Sequence, residues 1–256
     1  MKEKIDFLGI GAQKSGTTSL NLMLSQHYQI FTPKIKELQY FSTENYQKGL
    51  EWYYDYFKNS RDEQINGEIT PYYIFHPESP KRIYDLNPNI KLIALLRDPV
   101  DRAISGYFHT SRLNLDKFSL EDAIDSEEER LLGVDEILSR GERSYNHQNY
   151  SYLSRSRYEE QLERYLKYFS REQIYIARSE DLKNHEERIW KEILQFLGVD
   201  QIPLSQKNLR LNTSKGEVNK MNREDLKTFQ RVRKKIRKKL EPTYKIMKEK
   251  YGITWS

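Results

Sequence analysis

Between Lys91 and Leu96 the chain reads KLIALL, an apolar run closed by Arg97-Asp98-Pro99. A short continuous run bounded by turn residues predicts a strand buried on both faces. Ile5 to Ile10 has the same character, with Gly9, Gly11 and Gly16 around its end. Asn66 to Ile69, closed by Pro71, and Gln173 to Ala177 (QIYIA) predict two further strands. Helical spacing follows Ser15 and Thr17 through Leu20, Leu22, Met23 and Leu24. Further helices are expected over the aromatic-rich stretch Tyr46 to Phe57, near Pro77 and Pro80, and from Pro99, where proline suits a first turn. Phe118 to Leu132, Tyr158 to Phe169, and Glu186 to Leu197 stopped at Gly198 complete the middle of the chain. A last stripe, Phe229, Val232, Ile236, Leu240, Tyr244 and Met247, predicts a helix kinked at Pro242. Residues 133–152 carry the weakest pattern. Short apolar strands alternating with helices predict an α/β fold with a central parallel β-sheet flanked by helices. No repeat or long linker divides the 256 residues, so a single domain over 1–256 is expected.

Composition narrows the chemistry. With no cysteine there is neither a disulfide framework nor a thiolate ligand or nucleophile. The five histidines, at 27, 76, 109, 147 and 185, lack metal-ligand spacing, and no metal is expected. No apolar run approaches the roughly 20 residues that cross a bilayer, and the glycine- and charge-rich start does not resemble a secretory signal. A soluble, cytoplasmic protein is the expectation. The net charge of +5 is uneven: Lys220 to Lys250 holds thirteen basic and four acidic residues, a local +9 that leaves −4 elsewhere. Its apolar stripe predicts a docked helix with a solvated basic face. An anionic-polysaccharide or cofactor-steering role is the alternative, and nucleic acid is not the expected partner.

The chemistry-bearing segment is Gly11-Ala-Gln-Lys14-Ser15-Gly16-Thr17-Thr18, placed where a strand becomes a helix. It has the G-x-x-x-x-G frame of a phosphate-binding loop, whose backbone N–H groups and helix N-terminus attract anions. An ATP loop carries lysine directly after the second glycine; here Thr17 stands there and the lysine lies upstream, at Lys14. A triphosphate site with Mg²⁺ is thereby disfavoured.

GAQKSGTTSL resembles the 5′-phosphosulfate loop of sulfotransferases that use 3′-phosphoadenosine 5′-phosphosulfate (PAPS), and Leu95 to Ser105 resembles their 3′-phosphate motif. Lys36-Glu37-Leu-Gln-Tyr40-Phe41 is similar to the KE-x-x-(F/Y)-F segment of the heparan-sulfate branch. Ser156-Arg-Tyr158 with Leu162, Phe196-Leu-Gly198 and Asn212-Thr-Ser-Lys215-Gly216 follow in the family's order, so the resemblance spans about residues 5 to 250. It implies a P-loop-like three-layer fold and sulfuryl transfer from PAPS to a hydroxyl or amine, with a saccharide as the expected acceptor.

The resemblance also implies roles. Lys14 would neutralise the departing bisphosphate, while Ser15, Gly16, Thr17 and Thr18 cradle the 5′-phosphate. Glu37 would be the general base. Arg97 and Ser105 would clamp the 3′-phosphate, for which a planar guanidinium is suited. Tyr158, Lys215 and Gly216 would complete the cofactor site, the glycine allowing close backbone approach. His109, one turn beyond Ser105, is either a residue near the acceptor or a polar surface histidine. Two departures stand out: the cysteine pair of the vertebrate Golgi enzymes is absent, and so is the lysine those enzymes place near Glu68. Glu68 itself either binds acceptor or closes its strand. The tract Tyr145 to Tyr152 is expected to line the acceptor cleft. Two rival readings are an ATP-dependent kinase, with Asp98 as its metal-binding acid, and a non-catalytic binder of phosphonucleotides or acidic glycans.

Overall fold

Five parallel strands form one sheet in the order β2-β3-β1-β4-β5. They are β1 (Phe7–Gly11), β2 (Ile30–Phe31), β3 (Ile65–Ile69), β4 (Lys91–Leu96) and β5 (Ile174–Arg178). The computed structural model describes residues 4–205 and 221–255, which group into two compact units, 4–96 with 161–205 and 97–160 with 221–255.

The sheet belongs to the first unit. Every residue of β1 is buried, as is β4 from Leu92 on, which explains their unbroken apolar runs. Alternation along the strands sends Phe7, Ile69, Ile93, Leu95 and Ala177 to one face. There they meet Leu20, Met23 and Leu24 of α1 (Thr17–Leu24) and Ile189, Trp190, Ile193, Leu194 and Leu197 of the helix Glu186–Leu197. Each such side chain contributes about 1.5–3 kcal/mol by leaving water. Leu8, Ile10, Leu92, Ala94 and Leu96 alternate to the opposite face and are equally buried. Register is tight at Gly67, opposite Phe7, where an added Cβ would come within 2.4 Å of the Phe7 ring. β1 lies between β3 and β4, the point at which strand order reverses. In open parallel sheets that is where ligands bind, beyond the carboxyl ends of the strands.

The second unit is helical. Asp98 caps Pro99–Arg112 by accepting the Asp101 N–H at 2.9 Å, with Pro99 in the first turn as expected. The apolar stripe near the C-terminus is two helices, Arg223–Lys239 and Glu241–Tyr251, rather than one kinked helix. Their break falls at Leu240, which puts Pro242 in a first turn, where its missing N–H removes nothing. One face of the basic helix is paired: Arg231 with Glu121 at 2.5 Å, Lys235 with Asp125 at 2.6 Å, and Arg233 with Asp101.

Several other expectations need correction. Phe118 to Leu132 holds two short helices, Leu120–Asp125 and Glu127–Arg130. The Glu127 carboxylate is drawn inward, accepting the N–H groups of Leu153 and Ser154 at 2.6 and 2.8 Å. That tie is invisible to helical periodicity. Residues 133–152 contain Val134–Ser139 and Tyr145–Asn149. The aromatic stretch starts as a tight 3₁₀ turn, Glu44–Lys48, before the helix Gly49–Asp55. The two-residue strand β2 and the helix Ser179–Asn184 are too short to leave a periodic signal.

Candidate active site

In the first unit the chain leaves β1 and turns into α1 through residues 12–16. Ala12 N–H donates to the Leu95 carbonyl at 2.7 Å and Ser15 N–H to the Ala12 carbonyl at 3.2 Å. Gly16, at φ 90°, precedes α1 in the left-handed conformation, and no side chain caps the first turn. Its N–H groups are therefore offered to an anion rather than to a serine or aspartate. Ser15 Oγ is fully buried and without a hydrogen-bond partner, an orphan hydroxyl inside the loop. A Cβ on Gly16 would lie 3.8 Å from Ser179 Oγ, so the turn after β5 flanks the loop, a neighbour the sequence did not point to.

Among the described residues, positive φ outside glycine occurs at Lys14 (70°), Glu37 (62°), Gln39 (52°) and Asn114 (56°). Such backbone costs energy in a residue with a Cβ and persists where the surroundings enforce it. Two of the four are the expected catalytic residues.

The segment after Glu37 is anchored by its apolar members. Leu38, Tyr40 and Phe41 are buried, and Tyr40 stacks on Tyr53 with ring centres 4.5 Å apart. Glu37 itself keeps 42% of its side chain exposed and pairs with Lys36 Nζ at 2.6 Å. Gln39 N–H donates to Thr70 Oγ1 at 3.3 Å, and Thr70 Oγ1 donates to Glu68 Oε2 at 2.8 Å. Glu68 is 1% exposed, and its other oxygen, Oε1, has no hydrogen-bond partner. Burial pushes its carboxyl up to about 7, opposed by the nearby hydroxyls of Tyr73 and Thr70 and reinforced by the charge of Glu37.

In the second unit Arg97 follows β4 and keeps 27% of its side chain exposed, its guanidinium 4.0 Å from Asp101. Its carbonyl accepts the hydroxyl of Tyr158 at 3.0 Å, so Tyr158, wholly buried, supports the Arg97 backbone. Ser105 and His109 lie on the helix that starts at Pro99; Ser105 is buried, and His109 Nδ1 lies 3.5 Å from Arg112. Lys215 and Gly216 fall outside the described residues. Asp98, the acid a kinase would need for metal, accepts from the Asp101 N–H with one oxygen and from the Tyr244 hydroxyl with the other.

Two findings in this unit were not expected. Arg102 is a fully buried cation held by Ser156 Oγ at 2.6 Å and by the Tyr152 carbonyl, with Nη1 unpartnered; burial lowers its pKa to about 10. In the sequence Ser156 stands only as part of the Ser156-Arg-Tyr158 segment, with nothing to tie it to Arg102. Tyr152 is 2% exposed, its hydroxyl between Thr110 and Asp116 at 2.7 Å each, so it is a core residue and not a cleft-lining one. Tyr150 and Tyr145 both reach the Leu115 carbonyl, at 3.1 and 3.4 Å.

A family profile described as Sulfotransferase domain matches residues 4–250. The bifunctional heparan sulfate N-deacetylase/N-sulfotransferase 4 of Mus musculus is 34% identical over 75% of this chain and 22% of its own length. The heparan sulfate glucosamine 3-O-sulfotransferase 5 of the same species is 33% identical over 81% of this chain and 57% of its own. A membrane-associated sulfotransferase of Dictyostelium discoideum is 28% identical over 77% and 56%. The chain thus spans between 22% and 57% of the length of these relatives. The crystal structure of a sulfotransferase from Alicyclobacillus acidocaldarius superposes with a TM-score of 0.67 at 28% identity, covering 90% of this chain and 92% of that one.

Proposed function

Because the chain belongs to the sulfotransferase family and is an enzyme of that class, we propose that it moves a sulfuryl group from PAPS to a hydroxyl or amine of an acceptor, a saccharide by preference. PAPS supplies the sulfuryl group as an activated phosphosulfate. The loop between β1 and α1 carries the reading: an uncapped helix N-terminus, a glycine at φ 90° and an orphan buried serine hydroxyl make a cradle suited to a phosphate. Ser15, Gly16, Thr17 and Thr18 would hold the 5′-phosphate there. Lys14 would neutralise charge growing on the oxygen from which sulfur departs. Glu37, partly exposed, would take the acceptor proton as the new S–O or S–N bond forms.

Arg97 and Ser105 would bind the 3′-phosphate, with Tyr158 steadying the Arg97 backbone and Lys215 and Gly216 adding contacts. His109 would approach the acceptor. The saccharide preference is supported by the two relatives named for heparan sulfate and by the Lys36 to Phe41 segment. The same reading treats 1–256 as a single sulfotransferase domain, with no metal, acting in the cytoplasm. Cell fractionation tests the last point, since one relative is described as membrane-associated. The kinase reading is weakened by the full engagement of Asp98.

Calorimetric titration with 3′,5′-adenosine bisphosphate, and separately with Mg²⁺-ATP, tests the cofactor. Micromolar binding of the bisphosphate is expected, weakened about tenfold to a hundredfold in Arg97→Ala because a charge-assisted contact is lost. Preferential binding of Mg²⁺-ATP would overturn the proposal. Bisphosphate binding without transfer from PAPS to any saccharide would favour a non-catalytic binder.

A further inference from the structure

The proposed base, Glu37, sits on a turn that is expensive to hold, because Glu37 and Gln39 both adopt left-handed backbone around Leu38. Three contacts hold the turn open to this shape. The Leu38 carbonyl accepts Asn45 Nδ2 at 3.0 Å, and the Gln39 carbonyl accepts Thr43 Oγ1 at 2.8 Å. Both of those donors come from the residues that follow. The third contact comes from the sheet: Gln39 N–H donates to Thr70 Oγ1, whose own proton goes to Glu68 Oε2.

Thr70 has one hydroxyl proton, and its direction decides whether the oxygen can accept from Gln39. The carboxylate of Glu68 accepts that proton and so keeps the lone pairs of Oγ1 turned to the turn. A buried carboxylate is a costly way to achieve this, since it must leave water and keeps one oxygen unpartnered. An apolar residue, or a glutamine, would close the strand at lower cost. The buried oxygen that receives the Thr70 proton is therefore the feature that calls for a role. Lys36 and Glu37 from the turn, Tyr53 from the helix Gly49–Asp55, and Tyr73 from the turn after β3 all act electrostatically on Glu68.

Resting on the reading of Glu37 as general base, we propose that Glu68 is a positioning residue for it, acting through Thr70 to fix the turn. The acceptor and the hydroxyl can be removed separately. Thr70→Val removes the hydroxyl; Glu68→Leu removes the oxygen that receives its proton, and Glu68→Gln leaves an amide oxygen able to accept from Thr70. A misplacement of about 1 Å at a reacting group is enough to lower a rate about a hundredfold.

The test is steady-state transfer from PAPS, with bisphosphate titration as the control. Thr70→Val is expected to lower kcat about tenfold to a hundredfold, with KM for PAPS and bisphosphate affinity unchanged. Thr70→Ser, which restores the hydroxyl, is expected to recover the rate. Glu68→Leu, which offers the Thr70 hydroxyl no acceptor, is expected to lower kcat in the same way, and Glu68→Gln, which keeps an acceptor, to hold it near wild type. A purely structural role would lower bisphosphate affinity and kcat together.

Wild-type kcat in Thr70→Val or in Glu68→Leu would overturn the inference. Should both fail to fold, loss of kcat in Glu68→Gln, which keeps the acceptor, would overturn it alone. Glu37→Gln separates this inference from the reading beneath it: wild-type kcat in that variant would remove Glu37 as the base. Loss of transfer in Glu37→Gln, with Thr70→Val and Glu68→Leu both normal, would remove only the role of Glu68.

Discussion

A carboxyl group that folding takes wholly out of water resists ionisation, and Glu68 does so up to about 7 against 4.5 for the free side chain. Between those two values the folded chain binds a proton that the unfolded chain has released. Stability must then fall as pH rises through the window; the contribution is intact below about 4.5 and gone above about 7. The difference corresponds to about 3 kcal/mol. Urea unfolding of wild type and Glu68→Gln at several pH values is expected to show wild type losing ground to the variant by roughly that amount between acid and neutral pH. Parallel pH curves would count against the buried charge. Other residues in the site invert the logic: Lys14 and Glu37 are strained in backbone and partly exposed in side chain, as groups that must meet a substrate have to be.

Strands and helices owe their placement to how closely they approach one another. β3 can lie against β1 because Gly67 has no side chain opposite Phe7. Gly67→Ala would drive a methyl group to 2.4 Å from a ring that is itself fully buried and cannot swing aside. A loss of about 1–3 kcal/mol in chemical denaturation is expected, the usual penalty for overpacking. A cost near zero would mean that β3 is free to shift outward. The same strand carries Glu68, so the close approach that makes the sheet also sets the carboxylate beneath the Glu37 turn. In the second unit, the helix from Pro99 is held to its neighbours by the buried Arg102, whose partners are a hydroxyl and a carbonyl rather than an acid.

Across the whole molecule, charge is distributed so that the basic C-terminal segment is partly consumed internally. Glu121, Asp125 and Asp101 take Arg231, Lys235 and Arg233 on one face of the helix Arg223–Lys239. Pairs this exposed add less than about 1 kcal/mol each, so their effect lies in lowering the local field rather than in stability. No shift of duplex DNA is expected in gel electrophoresis at about 0.15 M salt, where exposed charges are screened beyond about 8 Å. Retarded DNA whose binding weakens steeply with salt would show a nucleic-acid surface instead. Among the described residues no helix is long and apolar enough to cross a membrane.

The parallel sheet was legible in the sequence because its central strands are buried, which forces short apolar runs such as KLIALL, and turn residues bound them closely. The phosphate loop was legible because backbone does much of its work and glycine at 16 permits the left-handed turn there, while Lys14 stood out by lying upstream of the place an ATP loop gives its lysine. The Lys36 to Phe41 segment showed through its mixture of charge and aromatics. What stayed hidden is what depends on contacts between residues far apart in the chain. Glu127 accepts the Leu153 N–H, the Tyr152 hydroxyl meets Thr110 and Asp116, and Arg102 finds Ser156. Glu68 reads in the sequence as a residue that either binds acceptor or closes its strand, with no sign of its contact with Thr70. Only the packing of β3 under the Glu37 turn removes it from water and sets it against Thr70, because a carboxyl's energy depends on its surroundings far more than on its neighbours in sequence.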